Sequence, residues 1–249
     1  MLALVSCGPD LRGTGGFGWG IAHDVIVDAN KYDVSDAPHG VRGVRVLGAI
    51  SWIVPVEGGV VLVDTGFDES GEILRQALGD QRVRAILLTH SHLDHISGSH
   101  LYGDIPVYIH RDDYGAMFVA GQNGVPGIQL IELLLGRPPV PTGLREIYDG
   151  DELWIGGEPF TAAHLPGHTP GSTSFLFRDL LFSGDALTVV PTEGSALGFE
   201  PCPDYPEASC GHFNRLKQLE LEAILDGHWG ITEGPASALD DALEVCSSF

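Results

Sequence analysis

The sequence predicts an α/β fold in which two mixed β-sheets pack together with helices outside. Three observations predict it. Short β-rich runs recur along the chain. Helical stretches fall between groups of them rather than at one end, a pattern of layered sheets with outer helices. Histidine and aspartate residues follow several apolar runs directly, and the ends of neighbouring strands at one edge of a sheet would bring them together. With 249 residues and 43% hydrophobic content, the chain suits one large globular domain or at most two small ones.

Taken in order, Ile21 to Val27, Val44 to Val56 and Gly59 to Asp64 read as strands, the last two separated by the turn Glu57-Gly58-Gly59. Asp68 to Leu78 reads as an amphipathic helix, with Ile73, Leu74 and Leu78 at helical spacing. Arg84 to Thr89 is an apolar strand. Ile105 to Ile109, Leu153 to Ile155, Pro159 to His164, Ser174 to Arg178 and Leu180 to Phe182 are further strands. Pro206 to Leu219 is a helix, Glu222 to Leu225 a strand and Pro235 to Val245 a last helix. The pattern implies two similar halves, although no internal repeat is visible.

One segment departs from this rhythm. Residues 112–142 are rich in Gly and Pro yet apolar, with Tyr114, Met117, Phe118 and Val119, then Ile128 to Leu135. It reads equally as core helices or as an inserted cap over a pocket. The expectation is a single domain over residues 1–249, with 112–142 as the candidate cap.

Charge narrows the function classes. There are 34 acidic and 13 basic side chains, a formal net charge of -21. Such a surface repels polyanions and attracts cations, so a small-molecule substrate is expected and nucleic acid is not. No apolar stretch reaches the roughly 18–20 residues that cross a bilayer, so no membrane partner is expected. Met1 to Cys7 faintly resembles a lipoprotein cleavage site, but lacks the basic start and the apolar length of a signal peptide. A first strand and a cytoplasmic location are expected instead. Cys7, Cys202, Cys210 and Cys246 fit no zinc or disulfide pattern and read as reduced thiols. The oligomeric state is left open, a dimer among the options.

The chemistry concentrates in His90-Ser91-His92-Leu93-Asp94-His95, directly after the strand Ile86-Leu87-Leu88-Thr89. Imidazole and carboxylate together are the usual ligands of zinc and similar divalent ions. In an extended segment His90 and His92 point to one side. A turn and a helix start then let Asp94 and His95 face a second ion. Three more ligand-type residues share the address of a strand end preceded by Gly: His168 after Leu165-Pro166-Gly167, Asp185 after Ser183-Gly184, and His228 after Asp226-Gly227. Several buried imidazoles without a metal would leave polar groups to satisfy, which favours a metal centre. Of the other histidines, His23, His39, His100 and His110 read as surface or packing residues, and His164, on the strand leading to His168, as a packed residue or one that supports a ligand. Trp19, Trp52, Trp154 and Trp229 read as core.

These residues, with Val63-Asp64-Thr65-Gly66, resemble the motifs of the metallo-β-lactamase superfamily across nearly the whole chain. The resemblance implies an αββα sandwich with a dinuclear site at one edge. It assigns His90, His92 and His168 to one ion and Asp94, His95 and His228 to the other, with Asp185 bridging both and Asp64 orienting the ligand loop. Zinc is the default, and iron or manganese occupy similar sites. A shared hydroxide would attack a carbonyl or phosphoryl centre, with Asp94 and Asp185 as the catalytic carboxylates.

Departures from subfamily patterns narrow the substrate. Antibiotic-hydrolysing members of the best-known type carry Cys where this chain has Asp185. Nucleic-acid processing members carry extra domains or basic arms. Diiron oxygen-reducing members usually have Glu in place of His92 and add a flavin domain. Glyoxalase II-like thioesterases add a basic C-terminal helical domain, whereas an acidic tail, Asp240 to Glu244, follows here. The layout most resembles single-domain lactonase and esterase-like members, so a lactone or ester is the expected substrate. Many quorum-signal lactonases place a tyrosine where this chain has Thr188, with Tyr114 and Tyr205 as alternative sources of a phenol. A thioester, a β-lactam, an iron-dependent reaction on oxygen or a persulfide, and a non-catalytic metal-stabilised binding role are the competing readings.

Overall fold

The computed structural model describes residues 36–122, 132–187, 190–191, 197–198, 211, 214–236, 239–240 and 243. The strands are β1 (Arg42–Val46), β2 (Ala49–Val56), β3 (Gly59–Val63), β4 (Val83–Leu87), β5 (Val107–His110), β6 (Leu144–Ile147), β7 (Glu152–Ile155), β8 (Glu158–His164), β9 (Thr173–Phe177), β10 (Leu180–Gly184), β11 (Val190–Pro191), β12 (Leu197–Gly198), β13 (Ala223–Asp226) and β14 (Ile231–Glu233). Helices α1 (Glu72–Leu78), α2 (Leu93–Ile96) and α3 (Arg111–Tyr114) fall between them. Among the described residues, two mixed sheets have six strands each, ordered β1-β2-β3-β4-β5-β6 and β14-β13-β10-β9-β8-β7.

Alternation along the strands assigns the layers. Ala85 and Leu87 of β4 face inward, and meet Leu180 and Phe182 of β10, Phe160 of β8 and Phe175 and Phe177 of β9. Ile86 and Leu88 face outward and pack with Leu74 and Leu78 of α1. On the far side, Leu181 and Ile224 face outward to Leu216 and Leu239, which lie in helical backbone at 214–216 and 239–240. The order is therefore helix, sheet, sheet, helix, as expected. Each large inward side chain contributes about 1.5–3 kcal/mol by leaving water.

Several boundaries differ from the sequence reading. The run Val44 to Val56 is a hairpin, not one strand: Val46 pairs with Ala49, and Leu47 and Gly48 turn with φ of 52° and 111°. Two residues of positive φ suit the twist of paired strands. An apolar residue in the turn, Leu47, hid it. The helix expected from Asp68 begins at Glu72, because the Asp68 carboxylate accepts the N–H groups of Ser70 and Ile73, each at 3.0 Å, and holds a turn ahead of it. The short strands β6 and β14 were not anticipated. Trp154, expected in the core, is 68% exposed, because it points outward from the edge strand β7. The strand Ile21 to Val27, the four cysteines and Trp19 lie outside the described residues. Among the described residues no helix is long and apolar enough to cross a membrane.

β3 and β4 run parallel, and β10 and β13 run parallel. β8 has the same direction as β10, because both are antiparallel to β9. The chain leaves β3, β4, β8, β10 and β13 at one edge of the sandwich, just before Asp64, His90, His168, Asp185 and His228.

Candidate metal centre

Asp64 ends β3 in a left-handed conformation, φ 60°, which Asp tolerates better than most residues. Its carboxylate accepts the Thr89 N–H at 2.8 Å and the Thr89 hydroxyl at 2.7 Å. It also accepts His95 Nδ1 at 2.8 Å, which leaves Nε2 facing inward. His92 caps α2, whose first turn turns Asp94 and His95 together into the site.

The predicted ligands converge in two groups, His90 with His92 and His168, and Asp94 with His95 and His228, and a further combination of His90, His95 and Asp185 links them. In the first, His92 Nδ1 lies 3.0 Å from His90 Nε2 and 2.8 Å from His168 Nε2. In the second, Asp94 Oδ2 lies 3.8 Å from His95 Nε2 and 3.7 Å from His228 Nε2. Asp185 stands between them: Oδ2 is 3.5 Å from His168 Nε2 and 3.1 Å from His228 Nε2, and Oδ1 is 3.4 Å from His95 Nε2. Donor atoms around a tetrahedral ion at about 2.0–2.1 Å stand about 3.3 Å apart, so this spacing suits ligation. All seven predicted residues meet.

Charge separates the two groups. Burial first, and then the neighbouring imidazoles, hold His90 and His92 well below the ordinary histidine value. Burial lowers His168 too, against the pull of Asp185. Burial also disfavours a charge on His95, but Asp185, Asp64 and Asp94 outweigh it and raise that histidine well above its ordinary value. His228 is raised to about 9 against burial by Asp185 and Asp94. Burial would raise Asp185, but His228 and His95 hold it well below the carboxylate range.

The residues fit a metal. His95 Nε2 and Asp185 Oδ1 are buried with no hydrogen-bond partner. A buried polar atom left so costs about 1–3 kcal/mol, which a shared cation would relieve. Neutral imidazoles are the metal-binding form, and the first group supplies them. In the second, a cation would replace the protons that the carboxylates draw onto His95 and His228.

Supporting residues emerge that the sequence did not flag. The Asp226 carboxylate accepts the N–H of His228 at 2.8 Å and of Gly230 at 3.2 Å. Burial pushes its pKa up to about 6, against the N–H groups of Trp229, His228 and Gly230. His228 Nδ1 donates to the Gly48 carbonyl at 3.0 Å, and Arg45 donates to the His228 carbonyl at 2.8 Å. Gly227 is required by space: a Cβ there would stand 2.5 Å from Asp185 Oδ1 and 2.8 Å from His95 Cε1. Asp226-Gly227-His228 echoes Ser183-Gly184-Asp185, the one available signal; Arg45 carried none.

The remaining histidines are placed apart. His110 is buried and stacks on His164, centroids 3.8 Å apart, and His164 Nε2 donates to the Pro170 carbonyl at 2.8 Å. His39 pairs with Asp179, and His100 Nδ1 meets the Ser97 carbonyl. Tyr114 packs against the outer core of the first sheet. Trp52 is core, and Trp229 is half-buried. Thr188, Tyr205, His23 and His212 lie outside the described residues.

The family model of the metallo-beta-lactamase superfamily matches residues 44–239. The chain belongs to this superfamily. It is 29% identical over 235 residues to the Bacillus subtilis protein named "Probable metallo-hydrolase YflN", covering 78% of this chain and 85% of that one. It is 32% identical over 170 residues to the hydroxyacylglutathione hydrolase of Yersinia pestis (strain Pestoides F), covering 66% of this chain and 55% of that one. The chain thus spans about half the length of that relative. The solved metallo-beta-lactamase GOB-18 from Elizabethkingia meningoseptica shares the fold at a TM-score of 0.64 and 20% identity, covering 87% of this chain and 90% of that one. Family, fold and the buried His/Asp centre together make this superfamily member a metallo-hydrolase.

Proposed function

We propose that the chain hydrolyses a small acyl compound, a lactone or open ester, at a centre holding two divalent ions. The observation that carries the reading is Asp185 standing within 3.5 Å of donor atoms from both histidine groups. His90, His92 and His168 would hold one ion and Asp94, His95 and His228 the other, with Asp185 shared. Nitrogen and oxygen donors favour zinc, and iron or manganese accept the same set. Such a pair lowers the pKa of water and polarises a carbonyl oxygen.

The chain's own groups do the rest. The Asp94 side chain is 11% exposed against 3% for Asp185. Asp94 is therefore the carboxylate best placed to orient the attacking water, take its proton and deliver it to the leaving alcohol. Asp64 and Gly48 hold His95 and His228 in one tautomer and orientation, as supporting groups do in metal sites. Exposed apolar side chains of the 112–142 segment, Phe118, Val119, Leu133, Leu134 and Leu135, suit a cap that lines an acyl pocket. The net charge of -21 disfavours nucleic acid as substrate.

A thioester is the second reading, favoured by the match to a hydroxyacylglutathione hydrolase. A panel of lactones, aryl esters, hydroxyacyl thioesters and β-lactams, run on zinc- and iron-loaded protein with metal content measured, separates these. Two ions per chain and fastest turnover of a lactone or ester are expected. A preference of tenfold or more for the thioester or the β-lactam would replace the substrate. No turnover by the fully metallated protein would leave a metal-stabilised binding protein. Oxygen consumption by an iron-only form would move the chain to oxygen chemistry.

A further inference from the structure

We infer that residues 112–122 and 132–142 brace the first histidine group, with Asp113 and Arg137 as the positioning residues; the inference deepens the two-ion reading and rests on it. Ser91 lies between the ligands His90 and His92. Its N–H donates to Asp113 Oδ2 at 2.9 Å, and its carbonyl accepts from Arg137 Nη1 at 2.8 Å. The N–H belongs to the peptide plane joining Ser91 to His90, the carbonyl to the plane joining it to His92. Both planes that connect the two ligands are thus held, one by an anion and one by a cation. Bonds to charged groups are roughly twice as strong as neutral ones.

The same carboxylate reaches the loop of the third ligand. Asp113 Oδ2 accepts the Thr169 hydroxyl at 2.8 Å, and Oδ1 accepts the Gly171 N–H at 2.7 Å. A Cβ on Gly171 would stand 2.6 Å from the Asp113 side chain, so the approach is as close as glycine permits. Asp113 is fully buried and joins the loops of His90, His92 and His168.

Arg137 is fixed in turn. Its Nη1 lies 2.7 Å from Glu132 Oε1, with the two side chains 6% and 1% exposed, and its Nη2 donates to the Ala116 carbonyl. Glu132 Oε2 accepts the Gly121 N–H at 2.8 Å. Burying an ion pair carries a desolvation cost that apolar packing would avoid, so stability alone is a poor reason for it. Holding the Ser91 carbonyl is a better one. The second group is held by Gly48 and Asp226, and by Asp64, which also reaches His90 through the Thr89 hydroxyl. The brace therefore acts on one ion of the two.

Zinc affinity, measured by chelator competition, tests this on the full-length protein. His168→Ala and His228→Ala mark which ion belongs to which group. Asp113→Asn, which turns an amide against N–H donors, and Arg137→Met are expected to weaken the ion lost in His168→Ala by about 10–100-fold, the usual effect of losing a group behind a ligand. The ion lost in His228→Ala should change by less than about threefold. Arg137→Lys should recover part of the loss. Thr169→Val, a near-isosteric change, serves if Asp113→Asn fails to fold, and its effect should be smaller but on the same ion. Unchanged affinities, or equal weakening of both ions, would overturn the brace. A wild-type protein with one ion would break the two-ion reading alone: if that ion is the one lost in His168→Ala, its response to Arg137→Met still decides the brace, and if it is the one lost in His228→Ala, the brace is wrong.

Discussion

The two histidine groups lie side by side and are held on opposite electrostatic terms. Burial holds His90, His92 and His168 below the ordinary histidine value, and imidazoles of both groups add to it. His95 and His228 are drawn toward the charged form by Asp185 and Asp94, with Asp64 adding to the pull on His95. Their backbones are anchored differently as well. The first group hangs on Ser91 and Thr169, gripped by Asp113 and Arg137. The second hangs on the ends of β3 and β13 and on the β1–β2 hairpin. The difference teaches that one candidate centre draws on different parts of the fold for its two groups, and that Asp185 and His90 both reach across them.

Three substitutions break or sharpen that comparison. The largest effect is expected from Asp185→Ala, which removes the shared carboxylate. Activity should fall on the order of 10⁴–10⁶-fold, the scale of removing one member of a catalytic unit, and at least one ion should be lost. Turnover and metal content measure both, and near-normal turnover would show that the two groups do not depend on a bridge. Gly227→Ala is next. Its Cβ would press on Asp185 and His95, so the ion of the second group should weaken by about 10–100-fold while the fold loses about 1–3 kcal/mol. A chelator titration showing the first ion weakened instead would reverse the assignment. The smallest effect belongs to Trp52→Phe. The Trp52 indole N–H donates to the Asp226 carbonyl at 3.0 Å, so losing it should destabilise the protein by about 1–3 kcal/mol, read as a lower Tm. Zinc affinity should stay within about threefold, because the Asp226 carboxylate, not its carbonyl, holds the His228 loop. A tenfold loss of the second ion would make Trp52 part of the site's support.

Much of this was legible in the chain. The run His90 to His95 carries two pairs of ligand-type residues within six positions, so spacing alone points four candidate donors at one place. His168, Asp185 and His228 each follow an apolar strand, and strand ends at one edge meet. The hairpin at Leu47-Gly48 was not legible, because an apolar turn residue continues the apolar pattern. Asp113 and Arg137 were not legible either. Asp113 ends the charged run Arg111-Asp112-Asp113 and Arg137 stands between Gly136 and Pro138, and nothing local says that their partners are the peptide groups of Ser91.

The sequence by itself determined the layered α/β architecture and pointed to the seven candidate donors, because strand alternation and strand-end chemistry are local properties of the chain. Only the tertiary structure decided how those candidates divide by charge, that Asp185 stands between them, and that Asp113 and Arg137 reach the peptide groups of Ser91. Those outcomes depend on burial and on contacts between residues distant in sequence, and no local pattern encodes the dielectric surroundings or the hydrogen-bond partner that the fold brings to a side chain.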